Sequence, residues 1–148
     1  MLPAYIWCNT VSEGVVITLL LVDDDPQVRA GLKMRMLLEE DLEVVAEAQD
    51  APNAVELARA LRPDVVVMDV SLAGCSCDGI DAIHEIATME PCPATVVLTM
   101  FDNAVIRRRA AECGASALVG KHQPVDVLLS AIRAAAPAAG NDGSQSQS

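Results

Sequence analysis

Residues Ile17–Asp25 read ITLLLVDDD: six residues, aliphatic apart from Thr18, and then three aspartates. Such a run is too short for a helix that buries itself, and it lacks the apolar–polar alternation of a strand with one wet face. It fits a strand buried on both sides, as in a parallel sheet covered by helices. The aspartates then mark the point where the strand leaves the core.

Working outward, similar short aliphatic runs recur at Val44–Ala46, Val65–Met68, Thr95–Leu98 and Ala117–Val119. The segments between them have helical spacing. Val28, Leu32 and Met36 lie four apart, and Ala54, Leu57, Ala58 and Leu61 fall at i, i+3, i+4 and i+7. Ile80, Ile83 and Ala87 form a third stripe, Ile106, Ala110 and Cys113 a fourth, and Val125, Leu128, Leu129 and Ile132 a fifth. Pro26 and Pro124 stand where a first helical turn tolerates proline, and Gly114 where a helix ends. Five strand–helix units in one domain predict an open, doubly wound α/β parallel sheet with right-handed crossovers.

Composition agrees with this fold and narrows the function. Hydrophobic residues make up 52% of the 148 residues but aromatics only 2%, so the core must be built from aliphatic side chains. A formal net charge of −11 argues against direct nucleic-acid binding, which draws on a basic surface. No uninterrupted apolar stretch is long enough for a membrane span, and the N-terminus lacks the basic start of a secretory signal. Five cysteines without a framework spacing suit free thiols in a reducing cytoplasm. Met1 to Val16 shows no sustained period and reads as a mobile extension, or as the product of a start site placed too early. Residues 139–148, which include GNDGSQSQS, read as a flexible tail or linker stub.

In open parallel sheets the functional crevice lies beyond the carboxyl ends of the strands. There the first strand ends in Asp23, Asp24 and Asp25, the third in Asp69 and the fourth in Thr99, while Lys121 follows the fifth. Any one of these is what a strand end meeting solvent would show. Together they suit phosphoryl transfer to a carboxylate. Clustered carboxylates repel one another unless a hard cation such as Mg²⁺ joins them. On this reading Asp69 is the nucleophile that forms an acyl phosphate, Asp23 and Asp24 hold Mg²⁺, and Thr99 and Lys121 engage the phosphoryl oxygens.

The stretches LLLVDDDP (Leu19–Pro26), RPDVVVMDVSLAG (Arg62–Gly74), VVLTMFD (Val96–Asp102) and GASALVGK (Gly114–Lys121), followed by Pro124, resemble the receiver domains of bacterial two-component response regulators. The phrasing of Leu42–Asp69 looks most like the LuxR-type (NarL/FixJ) subfamily. The resemblance covers Ile17 to Ala138 and implies a flavodoxin-like (βα)5 sheet with strand order 2-1-3-4-5. It implies Asp69 as phosphoacceptor, Asp23 and Asp24 as the acidic pair, Thr99 as switch hydroxyl and Lys121 as phosphate partner. Ser71 aligns with the position whose backbone carbonyl reaches the metal. A sensor histidine kinase is the implied donor. Homodimerisation through the fourth helix, fifth strand and fifth helix is the implied response, with a DNA-binding output domain expected to be absent from this chain.

Three departures stand out. The loop after the acceptor reads SLAGCSCDG, with Ala73 where the family has proline and about two extra residues before Gly79. Leu118 occupies the place of the usual aromatic three residues before the lysine, and His122 follows that lysine. Other signals point less far. Cys75 and Cys77 lack the histidines of a zinc site, Arg107–Arg109 can be a partner face or a solvated one, and His84 reads as a surface or packing residue. Phe101 matches a family position that modulates dephosphorylation, and also reads as packing. A stand-alone receiver acting through protein contacts is an alternative. A haloacid-dehalogenase-type phosphatase using Asp23 and Asp25 is a remote one, and leaves Asp69 without a task.

Overall fold

The computed structural model describes residues 16–70, 77–100 and 103–137, with 77–79 described by their backbone alone. Strands and helices alternate along it: β1 (Ile17–Val22), α1 (Pro26–Leu37), β2 (Leu42–Ala48), α2 (Ala51–Leu61), β3 (Val65–Asp69), α3 (Cys77–Ala87), β4 (Ala94–Thr99), α4 (Ala104–Glu112), β5 (Ala117–Gly120) and α5 (Val125–Ala135). Every strand pairing is parallel and the order is β2-β1-β3-β4-β5. This is the flavodoxin-like doubly wound sheet expected from the sequence. The expected N-terminal extension and C-terminal tail lie outside the described residues, apart from Val16.

Strand side chains point alternately to the two faces, and here both faces are covered. Leu20, Val22, Val66, Met68 and Val97 pack with Ala54, Val55 and Ala58 of α2, Ile83 and Ile86 of α3, and Ala110 of α4. Leu19, Leu21, Val65, Val67, Val96 and Leu98 pack with Met36 of α1 and with Leu128, Leu129 and Ile132 of α5. Burial on both sides explains the unbroken aliphatic runs, since each such side chain contributes roughly 1.5–3 kcal/mol when removed from water.

Polar residues set the ends of the elements. The Asp25 carboxylate accepts the Gln27 N–H and caps α1, Asp50 accepts the Asn53 N–H and caps α2, and Asn103 accepts the Ile106 N–H and caps α4. Pro26 opens α1 as expected, whereas Pro124 is the capping residue of α5 and not part of its first turn. The stripe on α2 also differs: Ala54, Val55 and Ala58 are buried, but Leu61 is exposed. Leu61 is the last residue of α2, next to Arg62, whose left-handed φ of 51° ends the helix. At the start of β1 and β3, the Asp64 carboxylate accepts both the N–H and the hydroxyl of Thr18, while the Thr18 hydroxyl accepts the Asp64 N–H.

Gly114 follows α4 with φ +107°, and a Cβ built on it would lie 2.7 Å from the Ala87 Cβ. Both the left-handed backbone and the close approach exclude a side chain. Gly114→Ala is expected to cost about 1–3 kcal/mol, read as a lower midpoint of urea unfolding; an unchanged midpoint would contradict this account.

An ion-pair cluster fastens α5 to the α1–β2 turn. Arg133 donates to Asp41 at 2.8 Å and to Glu39 at 2.6 Å, and Arg35 donates to Glu39 at 2.6 Å. Arg35 holds the Glu39 carboxyl below its ordinary pKa with help from Arg133, and Arg133 does the same for Asp41. Carboxyls with depressed pKa values stabilise the fold above their ordinary range and lose that contribution as pH falls through the depressed values. Arg133→Ala should therefore lower the melting temperature slightly at pH 7, and the gap from the parent should close below about pH 4. A gap that persists in acid would assign the effect to packing instead.

Candidate functional site

The parallel sheet brings the carboxyl ends of β1, β3, β4 and β5 to one edge. Asp23, just beyond β1, is almost completely buried. Its N–H donates to the Ala48 carbonyl at the end of β2, and its own carbonyl accepts from Arg29 Nη1 at 2.7 Å. Its Oδ1 accepts the Asp25 N–H at 2.8 Å, and its Oδ2 lies 3.1 Å from Lys121 Nζ. Asp69, the last residue of β3, stands on the adjacent strand, and its Oδ1 is 2.9 Å from the same ammonium. Asp24 is exposed. One carboxylate oxygen from each of Asp23, Asp24 and Asp69 lies within 4.8 Å of the others.

Lys121 reaches this cluster from β5. Gly120 is in register with Thr99, and the Lys121 N–H donates to the Thr99 carbonyl at 2.7 Å. Thr99 is fully buried at the end of β4. His122 folds back over the strand end: a Cβ on Gly120 would come 2.6 Å from His122 Cε1, so a side chain at Gly120 would displace the ring.

Burial pushes the Asp69 carboxyl above its ordinary pKa. Lys121 opposes that rise, while Asp23 and Asp24 add to it by repulsion. Burial acts against the Lys121 ammonium, but its bonds to Asp69 and Asp23 outweigh this and raise its pKa overall. Three carboxylates facing one ammonium leave an excess of two negative charges at an edge of hard oxygen donors. That donor set fits a small divalent cation such as Mg²⁺, which takes a few carboxylates and keeps water on its remaining positions.

Thus Asp23, Asp24, Asp69 and Lys121 converge as the sequence suggested, with Thr99 on the neighbouring strand. Asp25 does not join them, because its carboxylate caps α1. Ser71, Phe101, Cys75 and the altered loop up to residue 76 lie outside the described residues, as does the side chain of Cys77, while the backbone of residues 77–79, expected to belong to the loop, already forms the start of α3. Leu118 is half-buried and packs against the α2–α4 core. His84 and Arg107–Arg109 are exposed on α3 and α4. The sequence reading missed Arg29 and Glu47, which are bonded to each other behind Asp23. Nothing in their spacing marks them, since they belong to different elements.

An acid whose pKa rises on folding contributes stability at low pH and loses it as pH rises through the folded value. A neutral residue at position 69 should therefore be better tolerated than the carboxylate at neutral pH. In metal-free buffer at pH 7, Asp69→Asn is expected to raise the melting temperature by a few degrees, with the advantage fading in acid. A lower melting temperature at pH 7 would mean that the Lys121 pairing outweighs burial.

A doubly wound sheet with this acidic edge and a lysine opposite defines a receiver-type α/β domain. Residues 19–133 match the response regulator receiver domain family, and the chain belongs to it. It is 41% identical over 116 residues to the transcriptional regulatory protein PdtaR of Mycobacterium tuberculosis, covering 78% of this chain and 55% of that protein. A LuxR-family two-component response regulator from an Aurantimonas species superposes with a TM-score of 0.74 at 36% identity, covering 80% of this chain and 84% of that one. The response regulator domain of Thermotoga maritima CheB superposes with a TM-score of 0.72 at 31% identity, covering 81% and 96%. The chain spans about half the length of the curated transcriptional regulators it matches. Receiver domains of this family are phosphorylated by sensor histidine kinases and bind Mg²⁺ at an acidic pocket. No helix among the described residues is long and apolar enough to cross a membrane.

Proposed function

We propose that this receiver domain switches its protein contacts when Asp69 accepts a phosphoryl group from a sensor histidine kinase. The observation that supports this most directly is the convergence of Asp23, Asp24 and Asp69 within 4.8 Å, with Lys121 at 2.9 Å from Asp69. An Asp69 carboxylate oxygen attacks the phosphorus of the donor phosphohistidine. The new O–P bond forms as the P–N bond breaks, and the bonding pair leaves with the imidazole nitrogen. Asp23, Asp24, Asp69 and the backbone carbonyl of Ser71 would hold Mg²⁺, which when bound supplies charge neutralisation at the phosphoryl oxygens. The Lys121 ammonium offsets negative charge from the other side, and the Thr99 hydroxyl donates to a phosphoryl oxygen.

The response is a shift in the partner preference of the face formed by α4, β5 and α5. Arg107–Arg109 would take part in that face, with homodimerisation as one consequence. Likeness to transcriptional regulators supports control of transcription in the cytoplasm through an output domain, with no direct nucleic-acid contact by the receiver and no enzymatic turnover beyond its own dephosphorylation.

Incubation with acetyl phosphate and Mg²⁺, read by intact mass, is expected to add one phosphoryl group to the parent and none to Asp69→Asn, and chelation should abolish the gain. Failure of the parent to gain mass would leave a receiver that works through its binding surfaces without phosphate.

A further inference from the structure

Behind the acidic edge lies a second tier of charged residues. Arg29 sits on α1, largely buried, and its guanidinium spans two acceptors: Nη1 donates to the Asp23 carbonyl at 2.7 Å and Nε to Glu47 Oε1 at 3.1 Å. Lys33, one turn further along α1, occupies the other Glu47 oxygen at 2.9 Å. Glu47 belongs to β2, next to Ala48, whose carbonyl accepts the Asp23 N–H. Asp23 is therefore tied to β2 through both of its backbone polar groups, directly at its N–H and through Arg29 and Glu47 at its carbonyl.

That carbonyl belongs to the peptide joining Asp23 to Asp24. Because a peptide is planar, holding its oxygen fixes the plane, and the plane sets the direction in which the exposed Asp24 leaves the chain. We infer that Arg29, anchored by Glu47, is a positioning residue that orients the Asp23–Asp24 peptide so that both carboxylates face one divalent cation. This rests on the reading of Asp23, Asp24 and Asp69 as the Mg²⁺ ligands. Groups that orient ligands in this way typically change metal affinity by 10–100-fold when removed.

Charge alone makes the opposite prediction. Arg29 is a cation beside a cation site, so deleting its charge would tighten Mg²⁺ binding by Coulomb's law. A residue that merely stabilises the fold would leave the affinity of the folded protein unchanged. Positioning alone predicts weaker binding on removal of a positive charge.

Mg²⁺ affinity is measured by isothermal titration calorimetry on the parent, Arg29→Ala and Arg29→Lys, with melting curves showing the folded fraction of each. The expected result is a Kd about 10-fold or more higher for Arg29→Ala. A smaller rise is expected for Arg29→Lys, which keeps the charge but lacks the planar fork that serves both acceptors. An unchanged or lower Kd for Arg29→Ala overturns the inference. Should that variant not fold, an unchanged Kd for Arg29→Lys does so. A parent that binds no Mg²⁺ sinks the metal reading and this inference together, whereas a binding parent with indifferent variants sinks the inference alone.

Discussion

The two inner layers of apolar side chains leave no place for a charge along β1, β3 or β4. Leu19, Leu20 and Leu21 in β1, Val65 to Met68 in β3 and Val96 and Val97 in β4 are all essentially inaccessible to water. A charged group within these strands would be desolvated without a partner, at a cost of several kcal/mol. Along these three strands charge can enter only where the strand ends, whereas the edge strand β2 carries Glu43 and Glu47 within its length. Since all strands run the same way, each carboxyl end opens onto the same edge, and the groups expelled from the strands accumulate there. The acidic site is thus a consequence of the same burial that builds the core.

Accumulation has its own electrostatic consequence, expressed in the titration of Asp69 and Lys121. Asp69 is buried beside two further aspartates and is pushed toward its neutral form, while Lys121 is drawn toward its charged form by the carboxylates it touches. One ammonium between Asp23 and Asp69 offsets part of the repulsion and leaves the remainder to be met by a cation. In the proposed function this imbalance prepares the edge for a metal and a phosphoryl group, because their charges complete a set that the protein alone leaves unbalanced. The site is held in shape from outside by neutral and ionic ties: Arg29 and Glu47 behind Asp23, and the Thr99 carbonyl beneath Lys121.

Leu118 shows how a position can change task within an unchanged fold. The resemblance associates this place with an aromatic whose rotation couples to the hydroxyl at Thr99. In this chain the smaller aliphatic side chain packs against the α2–α4 core. In the proposed function, coupling between the site and the outer face then runs through backbone and helix contacts, the Thr99–Gly120 register and the Lys121 N–H bond to the Thr99 carbonyl being the links between β4 and β5 nearest the site.

The sequence by itself determined the element order, the two-sided burial of β1, β3 and β4 and the residues at each strand end. These follow from local periodicity and from the rule that charge is expelled from buried strands, and the strand order followed from resemblance to a family. But it read Val44–Ala46 as buried, where the edge strand β2 leaves Val45 exposed. It misplaced Leu61, which it put in the apolar stripe of α2, and it did not read the capping role of Asp25, because both depend on where a helix ends. Only the tertiary structure decided that Lys121 bridges Asp23 and Asp69, and that Arg29 joins Glu47 to the Asp23 carbonyl. Lys121 and Asp23 are 98 residues apart, and their meeting is set by how the crossovers stack strands side by side. No periodicity in the chain encodes that geometry.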